Sequence, residues 1–279
     1  MINRRHFLEL SAVSLAGTVA YTAWVEPHWL EIVHRKLPIE RLPPHLAGVR
    51  LVQLSDLHVG LEVDDDYILE TFARVRQLAA EVVVYTGDFV SLHEGSMAQL
   101  PRVYAELPRG SLATLGVLGN HDYGHGWSEP KVADAVSAAL EERGLTLLRN
   151  QVYDLEGLDI VGLDDCWGTN FHPERAFAEL LPGRPAVVLS HNPDTADLPI
   201  WGGYRGWILS GHTHGGQCKP PFLPPPLLPV RNRRYTAGEF ELSGGRRLYI
   251  NRGVGHLLKV RFNVRPEVTV FELTPHPAG

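Results

Sequence analysis

Cysteine and methionine are scarce in this chain, with two of each among 279 residues. Cys166 and Cys218 lie far apart and form neither a CxxC pair nor a disulfide framework. One bridge between them is open, but two buried or free thiols are the simpler expectation. The body of the chain has no extended basic block and the formal net charge is −6. Both facts argue against a surface that coats nucleic acid, so we expect no nucleic-acid partner.

The remaining composition is that of a globular protein. Apolar residues make up 44% of the chain and charged residues 21%, which is enough apolar material for a sizeable core. The length is compatible with one large domain or two small ones. Histidine is unusually abundant, with 14 copies, and several of them stand beside Asp, Asn or Gly. Such neighbours suggest a metal site.

The amino-terminal segment differs from the rest. Arg4 and Arg5 precede a mildly apolar run that reaches about Val25. Paired arginines before a weakly apolar segment are typical of a twin-arginine signal, which would send the protein through that export machinery to the periplasm or cell envelope. The run is also long enough to cross a bilayer, so an uncleaved anchor, with the domain on the cytoplasmic face, is the alternative. Residues 1–25 therefore predict export or membrane association.

Residues 26–47 are rich in proline and basic side chains. We interpret them as a tether and expect the catalytic domain to occupy residues 48–275. Within that domain, short apolar runs suited to buried strands lie at 49–55, 81–87, 112–119, 158–163, 185–190, 206–211, 247–253 and 267–273. Helical stretches lie near 66–80, 97–107, 130–143 and 173–181. This order predicts an α/β layered domain with a mixed sheet or two packed sheets.

Five of the apolar runs end in polar clusters. These clusters are Asp56 with His58, then Asp88, then Asn120 with His121 and Asp122, then His191, and finally His212 with His214. Ligands of open α/β sheets collect beyond the carboxyl ends of strands, so the clusters should converge at one rim. Residues at i and i+2 of an extended chain point to the same side. Neighbouring glycines let the backbone bend toward the ligand.

The donor atoms of these clusters suit two metals better than one. The clusters contain seven residues with oxygen or nitrogen donors, namely Asp56, His58, Asp88, Asn120, His191, His212 and His214. Seven donors are too many for a single tetrahedral zinc. They fit two ions that share a carboxylate, the arrangement that clamps both the attacking and the leaving oxygen of a phosphoryl displacement. A donor set without thiolate favours Mn, Fe, Zn or Co.

The five motifs, in this order, closely resemble the calcineurin-like metallophosphoesterase superfamily over roughly residues 48–275. The segments "SHNPD", "SGHTHGGQ" and "YINRGVGH" are similar to those of a bacterial subgroup. That subgroup contains exported or membrane-associated phosphodiesterases and UDP-2,3-diacylglucosamine hydrolases of lipid A biosynthesis. The resemblance implies a four-layer αββα sandwich, with two mixed sheets flanked by helices.

The resemblance also implies a role for each motif residue. Asp56, His58 and His214 would hold one ion, Asn120, His191 and His212 the other, and Asp88 would bridge them. A hydroxide that bridges the two ions would attack phosphorus in line. His121 would protonate the leaving oxygen as the general acid. Asp122 would orient His121 or its neighbours.

The implied activity is hydrolysis of a phosphodiester or pyrophosphate bond, for example in a lipid-linked or cell-envelope substrate such as UDP-2,3-diacylglucosamine. A phosphomonoesterase or a nuclease is the alternative, although the sequence shows no basic groove for a nuclease. A metal-dependent binding module without turnover is disfavoured by the intact His121.

Three further features keep two interpretations each. Asp164 and Asp165 follow a strand and could support the metal site or form a turn. Arg252 could contact a substrate phosphate or be an ordinary surface residue. The Pro-rich segment 219–235 could be a stiff cover or a lip that contacts lipid acyl chains.

Overall fold

Two six-stranded sheets dominate the computed structural model, which describes residues 3–60, 62–91 and 96–276. The strands are β1 Glu31–Ile39, β2 Arg50–Leu54, β3 Val82–Thr86, β4 Ala113–Val117, β5 Thr146–Leu147, β6 Gln151–Leu155, β7 Leu158–Gly162, β8 Ala186–Leu189, β9 Gly206–Ser210, β10 Gly238–Glu241, β11 Arg246–Ile250 and β12 Glu267–Pro275. The α-helices are α1 Arg4–Ala20, α2 Asp65–Gln77, α3 Ser96–Val103, α4 Pro130–Glu141 and α5 Pro173–Glu179.

Both sheets are mixed. The first sheet has the order β1-β12-β2-β3-β4-β5, and its pairs are parallel except β12 with β2. The second sheet has the order β10-β11-β9-β8-β7-β6, with antiparallel pairs at its two edges. In each sheet the central parallel strands therefore end on the same side, where the polar clusters follow them.

The two sheets pack face to face over an apolar core. Leu51, Val84 and Leu115 of the first sheet belong to one buried cluster with Leu189 and Leu209 of the second sheet. The central strands are buried along nearly their whole length, with β3 and β4 buried at every position. This double burial explains why their sequences are continuously apolar rather than alternating.

Helices cover the outer faces of the sheets. Phe72 of α2 and Val136 of α4 share a buried cluster with Tyr85 on the outer face of the first sheet. Ala176 of α5 packs with Val188 on the outer face of the second sheet. The result confirms the four-layer αββα sandwich.

The tether expected at 26–47 is wrong for most of its length. β1 pairs in parallel with β12 from Glu31 to Ile39, and it is the edge strand of the first sheet. Leu37 is fully buried in the core between the sheets. Pro38 is compatible with this position because an edge strand tolerates a missing backbone donor.

The amino-terminal helix stands apart from this core. Arg4–His28 forms one helical segment of 25 residues that is apolar and long enough to cross a membrane, and its apolar window is 0% buried. It comprises α1 followed by a π-turn and a 3-10 turn. Such a helix serves as a signal or as an anchor. Its carboxyl end is fixed to the fold, because the buried Glu26 accepts a hydrogen bond from the amide of Val264 at 2.5 Å.

Substitutions in β1 distinguish a core strand from a tether. We expect Leu37→Ala to lower the free energy of unfolding by about 2–5 kcal/mol, because it leaves a cavity between the sheets. The control is Lys36→Ala, an exposed neighbour in the same strand, which should change it by about 0.5 kcal/mol or less. Denaturant unfolding followed by circular dichroism measures both. Equal, small effects for the two variants would mean that β1 is not part of the core.

Candidate metal centre

The five polar clusters meet at one rim of the two sheets. The loop after β2 is tied to the loop after β3, because the amides of Asp56 and His58 donate to the carbonyls of Gly87 and Asp88, both at 3.0 Å. The loop after β9 is tied to the loop after β8, since the amide of Gly211 donates to the carbonyl of His191 at 3.0 Å. These bonds hold ligands from separate strands in one place.

The backbone of the rim turns sharply at the predicted ligands. Asp56, His58, Asp88, His212 and His214 have φ values of 53°, 49°, 54°, 71° and 50°. This left-handed region is uncommon for residues with a side chain and is typical of functional sites. The sequence suggested that the residues paired at i and i+2 share one side because the chain is extended there. The left-handed φ values show that the chain is not extended at these residues. The left-handed turns aim the side chains at the site.

Two glycines allow the loops to approach this closely. A Cβ on Gly119 would lie 2.3 Å from Asp88 Oδ1, and a Cβ on Gly211 would lie 2.3 Å from Asp56 Oδ2. Neither distance is possible for real atoms. The glycines beside the ligands are thus needed because the next loop passes against their backbone.

The first group of donors consists of Asp56, His58 and His214. Their ligand atoms lie within 4.8 Å of one another, and all three residues are buried. His214 Nε2 is 3.3 Å from Asp56 Oδ1 and 3.1 Å from His58 Nε2. The group contains one carboxylate and two imidazoles, a donor set that suits a divalent transition metal.

The second group consists of Asp88, His191 and His212, which are also buried. His191 Nε2 is 3.1 Å from Asp88 Oδ2 and 3.2 Å from His212 Nδ1. Asp88 Oδ2 is in addition 3.5 Å from His58 Nε2 of the first group. One carboxylate oxygen therefore lies between the two groups.

The outer ring nitrogens define which nitrogens face the site. His191 Nδ1 donates to the carbonyl of Thr86, and His212 Nε2 donates to the carbonyl of Pro229, both at 2.7 Å. A carbonyl can only accept, so the proton of each ring is on the outer nitrogen. The inner nitrogens of the two rings, His191 Nε2 and His212 Nδ1, face each other at 3.2 Å and are therefore the nitrogens that can bind a cation.

The rings of the site differ in protonation. Burial lowers the pKa of His58 and of His212 to about 3 each, so both rings are neutral near pH 7. Burial alone would raise the pKa of Asp88, but the nearby imidazoles, His191 above all, outweigh it and lower that pKa well below its usual value. Burial alone would lower the pKa of His191, but the Asp88 carboxylate outweighs it and raises that pKa well above its usual value, so this ring is protonated while no ion is bound. A metal ion would take the place of that proton, because a ligand imidazole is neutral.

Asn120 and His121 follow β4 and lie beside Asp88. The Oδ1 atom of Asn120 is buried and has no hydrogen-bond partner among the described residues. An unsatisfied buried carbonyl oxygen fits a metal ligand. The amide of His121 donates to Asp88 Oδ1 at 2.9 Å, and its ring centroid is 5.0 Å from that of His58.

The hydrogen bonds that the structure describes for Asp122 are with backbone amides of neighbouring loops, not with the imidazole of His121. Its carboxylate accepts hydrogen bonds from the amides of Phe89 and Gly119, each at 2.8 Å, and of Val90 at 3.1 Å. Three backbone donors fix the loops after β3 and β4 relative to each other. Of the two roles considered for Asp122, the structure therefore favours the one that acts through the backbone.

Arg261 is a positioning residue that the sequence did not reveal. It is 0% exposed, and its guanidinium donates to the carbonyls of Arg252, Gly253 and Gly255 at 3.1, 3.2 and 2.6 Å. Gly253 in turn packs against Asp56, because a Cβ there would lie 2.7 Å from Asp56 Cβ. A buried arginine has no local sequence signal, so only its contacts identify this role.

Two tryptophans form an aromatic wall beside the site. The rings of Trp127 and Trp167 are stacked with centroids 4.8 Å apart. Trp127 lies 6.5 Å from the ring of His121, and Trp167 lies 4.7 Å from the ring of His212. Neither residue belongs to a metal-ligand motif, so no sequence pattern selects them.

The structure bears on two of the features with two interpretations. Asp165 accepts from the amide of Trp167 through Oδ1 at 2.8 Å, which is a turn contact, whereas its Oδ2 is buried without a hydrogen-bond partner among the described residues. Arg252 pairs with Glu31 at 2.9 Å and with Glu267, so it links β1 to β12 and is neither an isolated surface residue nor free for phosphate. Cys166 and Cys218 are free thiols.

An αββα sandwich that gathers two carboxylate–imidazole groups around a shared aspartate defines a metal-dependent hydrolase of the two-metal class. The sequence narrows this class. The family model of the calcineurin-like phosphoesterases matches residues 49–216, and the chain belongs to that family. It is therefore a metallophosphoesterase, as the order of its motifs predicted.

Similar proteins are found in bacteria and animals. The chain is 31% identical to phosphodiesterase YaeI of Escherichia coli over 98% of its own length and 100% of the relative. It is 27% identical to the UDP-2,3-diacylglucosamine pyrophosphatase LpxG of Chlamydia trachomatis, over 94% of this chain and 96% of that protein. A solved dimetal phosphatase from Danio rerio aligns with 75% of this chain and 88% of its own, at 14% identity and a TM-score of 0.45.

Proposed function

We propose that this protein hydrolyses a phosphodiester or pyrophosphate bond with two divalent metal ions. The observation that carries the proposal is the position of Asp88, whose Oδ2 lies 3.1 Å from His191 Nε2 and 3.5 Å from His58 Nε2. A single carboxylate between two groups of imidazoles fits a bridging ligand. The groups around it contain enough donors for one ion each.

The chain's own residues provide the two binding positions. Asp56, His58 and His214 would hold the first ion, and Asn120, His191 and His212 the second, with Asp88 shared. Two divalent ions of Mn, Fe, Zn or Co supply Lewis-acid stabilisation of phosphoryl oxygens and make water acidic enough to attack at neutral pH. The protein keeps the ligands fixed through backbone carbonyls, as at Thr86 and Pro229.

His121 is placed to donate a proton to the leaving oxygen. Its backbone is held by Asp88, whereas its Nδ1 has no hydrogen-bond partner among the described residues. The ring lies between His58 and the aromatic wall of Trp127 and Trp167. It is thus next to the metal ligands without being needed as one, which is the position of a general acid.

Removal of this proton donor should affect alkyl esters more than nitrophenyl esters. We expect His121→Ala to keep its fold and metals but to lose about 10²–10⁴-fold in turnover on an alkyl diester. The loss should be smaller for a nitrophenyl diester, because nitrophenolate leaves without a proton near neutral pH. Steady-state kinetics on both substrates measures the difference.

The matched control is His125→Ala, an exposed histidine on the same loop, which should leave both rates unchanged. Equal losses on the two substrates for His121→Ala would contradict a proton-donor role. The residue would then position the phosphate or support the metal ligands, and metal content would tell these two apart.

The names of two relatives support a substrate in which the attacked phosphorus carries two substituted oxygens. One is named a phosphodiesterase and another a pyrophosphatase of a lipid-linked nucleotide sugar. In both cases the phosphorus that is attacked carries substituents on two sides. A phosphomonoesterase or a nuclease of the same family is the alternative. The substrate we propose is lipid-linked or part of the cell envelope, of the kind exemplified by UDP-2,3-diacylglucosamine in lipid A biosynthesis.

A comparison of two nitrophenyl substrates tests the type of bond. We expect the purified protein, loaded with manganese, to release nitrophenol from bis-nitrophenyl phosphate with a higher kcat/KM than from nitrophenyl phosphate. The control is the Asp88→Asn variant, which should release little from either. A preference for the monoester would favour the phosphomonoesterase, and no turnover by the wild type on either ester would favour the binding module.

We further propose that the amino-terminal helix is a twin-arginine export signal that brings the domain to the membrane or cell envelope. Arg4 and Arg5 are exposed at its start, and Arg5 makes a surface ion pair with Glu9 at 2.9 Å. An uncleaved anchor with the domain on the cytoplasmic face is the alternative. It suits a nucleotide-linked lipid substrate better, because such lipids are made on that face.

Conservative replacement of the arginine pair separates these possibilities. We expect Arg4→Lys with Arg5→Lys to stop export, because the charge remains but the pair read by the export machinery is lost. Activity in whole lysates should be retained, since both residues are exposed at the start of α1. Cell fractionation with immunodetection gives the measurement. Unchanged localisation in the variant would favour the plain anchor.

A further inference from the structure

Exposed large apolar side chains outside α1 are concentrated in three neighbouring segments. They lie at the end of the amino-terminal helical segment, in the Pro-rich segment and in the loop that follows β11: Trp24, Val25, Trp29, Phe222, Leu223, Leu227, Leu257, Leu258 and Val260. We name this set the apolar rim. Phe222 is fully exposed, and Leu227 and Leu258 are 76% and 67% exposed. Clustered apolar exposure of this kind marks an interaction surface.

Backbone and side-chain hydrogen bonds join the three segments. Gln217 Nε2 donates to the carbonyls of Leu258 and Val260, both at 3.1 Å. The amide of Lys219 donates to the carbonyl of Phe262 at 2.9 Å, and the amide of Arg261 donates to that of Thr22 at 3.0 Å. The apolar rim is therefore one surface that continues directly from the apolar helix.

Basic side chains flank the apolar rim at the Pro-rich segment. Segment 217–235 contains lysine and arginine but no aspartate or glutamate, although the whole chain has a net charge of −6. The basic residues of the loop after β11 are paired instead, for example Lys259 with Asp64 at 2.8 Å. Lys219, Arg231, Arg233 and Arg234 are exposed. Apolar tips flanked by basic residues match the interface of a bilayer with anionic headgroups.

The prolines of the rim reduce the cost of inserting it into lipid. Proline has no backbone donor, so a segment such as "KPPFLPPPLLP" places fewer unsatisfied amides among acyl chains than an ordinary loop would. Proline also keeps the tip stiff, which limits the entropy lost on binding.

We propose that the apolar rim docks on an anionic lipid bilayer and presents the metal centre to substrates held in that bilayer. The inference rests on the proposed phosphoester hydrolysis. The carbonyl of Pro229 in the Pro-rich segment accepts a hydrogen bond from His212, and Gln217 closely follows His214. The same stretch of chain thus supplies two metal-site histidines and the docking tip, so a docked rim places the site at the membrane surface.

Site-specific labels on the full chain test the docking. In a Cys166→Ser, Cys218→Ser background, Leu223→Cys and Leu258→Cys are labelled with an environment-sensitive fluorophore and reconstituted in phosphatidylethanolamine–phosphatidylglycerol vesicles. The control is Leu181→Cys, which is 57% exposed but precedes β8 and therefore lies at the end of the second sheet opposite the metal site.

We expect emission from positions 223 and 258 to shift to the blue and to be quenched by spin-labelled lipid, whereas position 181 stays in water. Rim labels that behave like position 181 in vesicles would overturn the docking. The docking would also be overturned if the rim labels in detergent micelles became shielded as the protein concentration rises. Such a dependence would mean that a second copy of the chain covers the rim.

Activity separates docking from the hydrolysis it rests on. We expect Leu223→Ser with Leu258→Ser to lose about tenfold in kcat/KM on nitrophenyl phosphatidate in the same vesicles, and to keep full activity on soluble bis-nitrophenyl phosphate. Leu181→Ser should keep both activities. Equal activity of the rim variant and the wild type on the vesicle substrate would overturn substrate presentation. If the wild type hydrolysed neither substrate, the proposed hydrolysis would be contradicted. The label measurement would still report whether the rim docks on the bilayer.

Discussion

The position of the Asp88 carboxylate is the constraint on which the rest of the site depends. One of its oxygens accepts from the amide of His121, and the other lies between His191 and His58. A buried, ionised carboxylate is unfavourable without compensating positive charge or hydrogen bonds. Two bound cations would supply positive charge here, so we expect metal binding to stabilise the rim.

The rim is also held in an unfavourable backbone conformation. Five predicted ligands, from Asp56 to His214, have left-handed φ values. Each such residue costs about 1–3 kcal/mol and persists only when its surroundings impose it. Here the surroundings are the bonds between loops, the three amides on Asp122 and the buried Arg261. The two sheets thus act as the rigid base that keeps these turns in place.

Much of the fold could be predicted because the central strands are buried on both faces. Runs such as 81–87 and 206–211 have no polar alternation, so their burial is evident from the residues alone. The strands that were missed, β1, β5, β6 and β10, are the edge strands of the two sheets. β5 has only two residues, β6 and β10 are mostly exposed or half-buried, and β1 contains Pro38 and three basic or histidine side chains. Their pairing depends on distant strands, which no local pattern reports.

The residues of the candidate site also fall into some that the local sequence identifies and some that it does not. Its predicted ligands follow strands and carry distinctive donor atoms, so order and spacing were sufficient to predict that they meet at one rim. Arg261 and the pair of Trp127 and Trp167 act through contacts between segments that are far apart in sequence. The expectation for Asp122 was only partly specific for the same reason, because its three partners are backbone amides that any sequence provides.

Elemental analysis of the purified, active protein tests the central claim most directly. The account predicts close to two transition-metal ions per chain in the wild type, one for each donor group around Asp88. Asp88→Asn should lower the content at both positions, whereas Asp154→Asn, an exposed carboxylate in β6, should leave it unchanged. One ion or none in active wild-type protein, or an unchanged content in Asp88→Asn, would contradict the account.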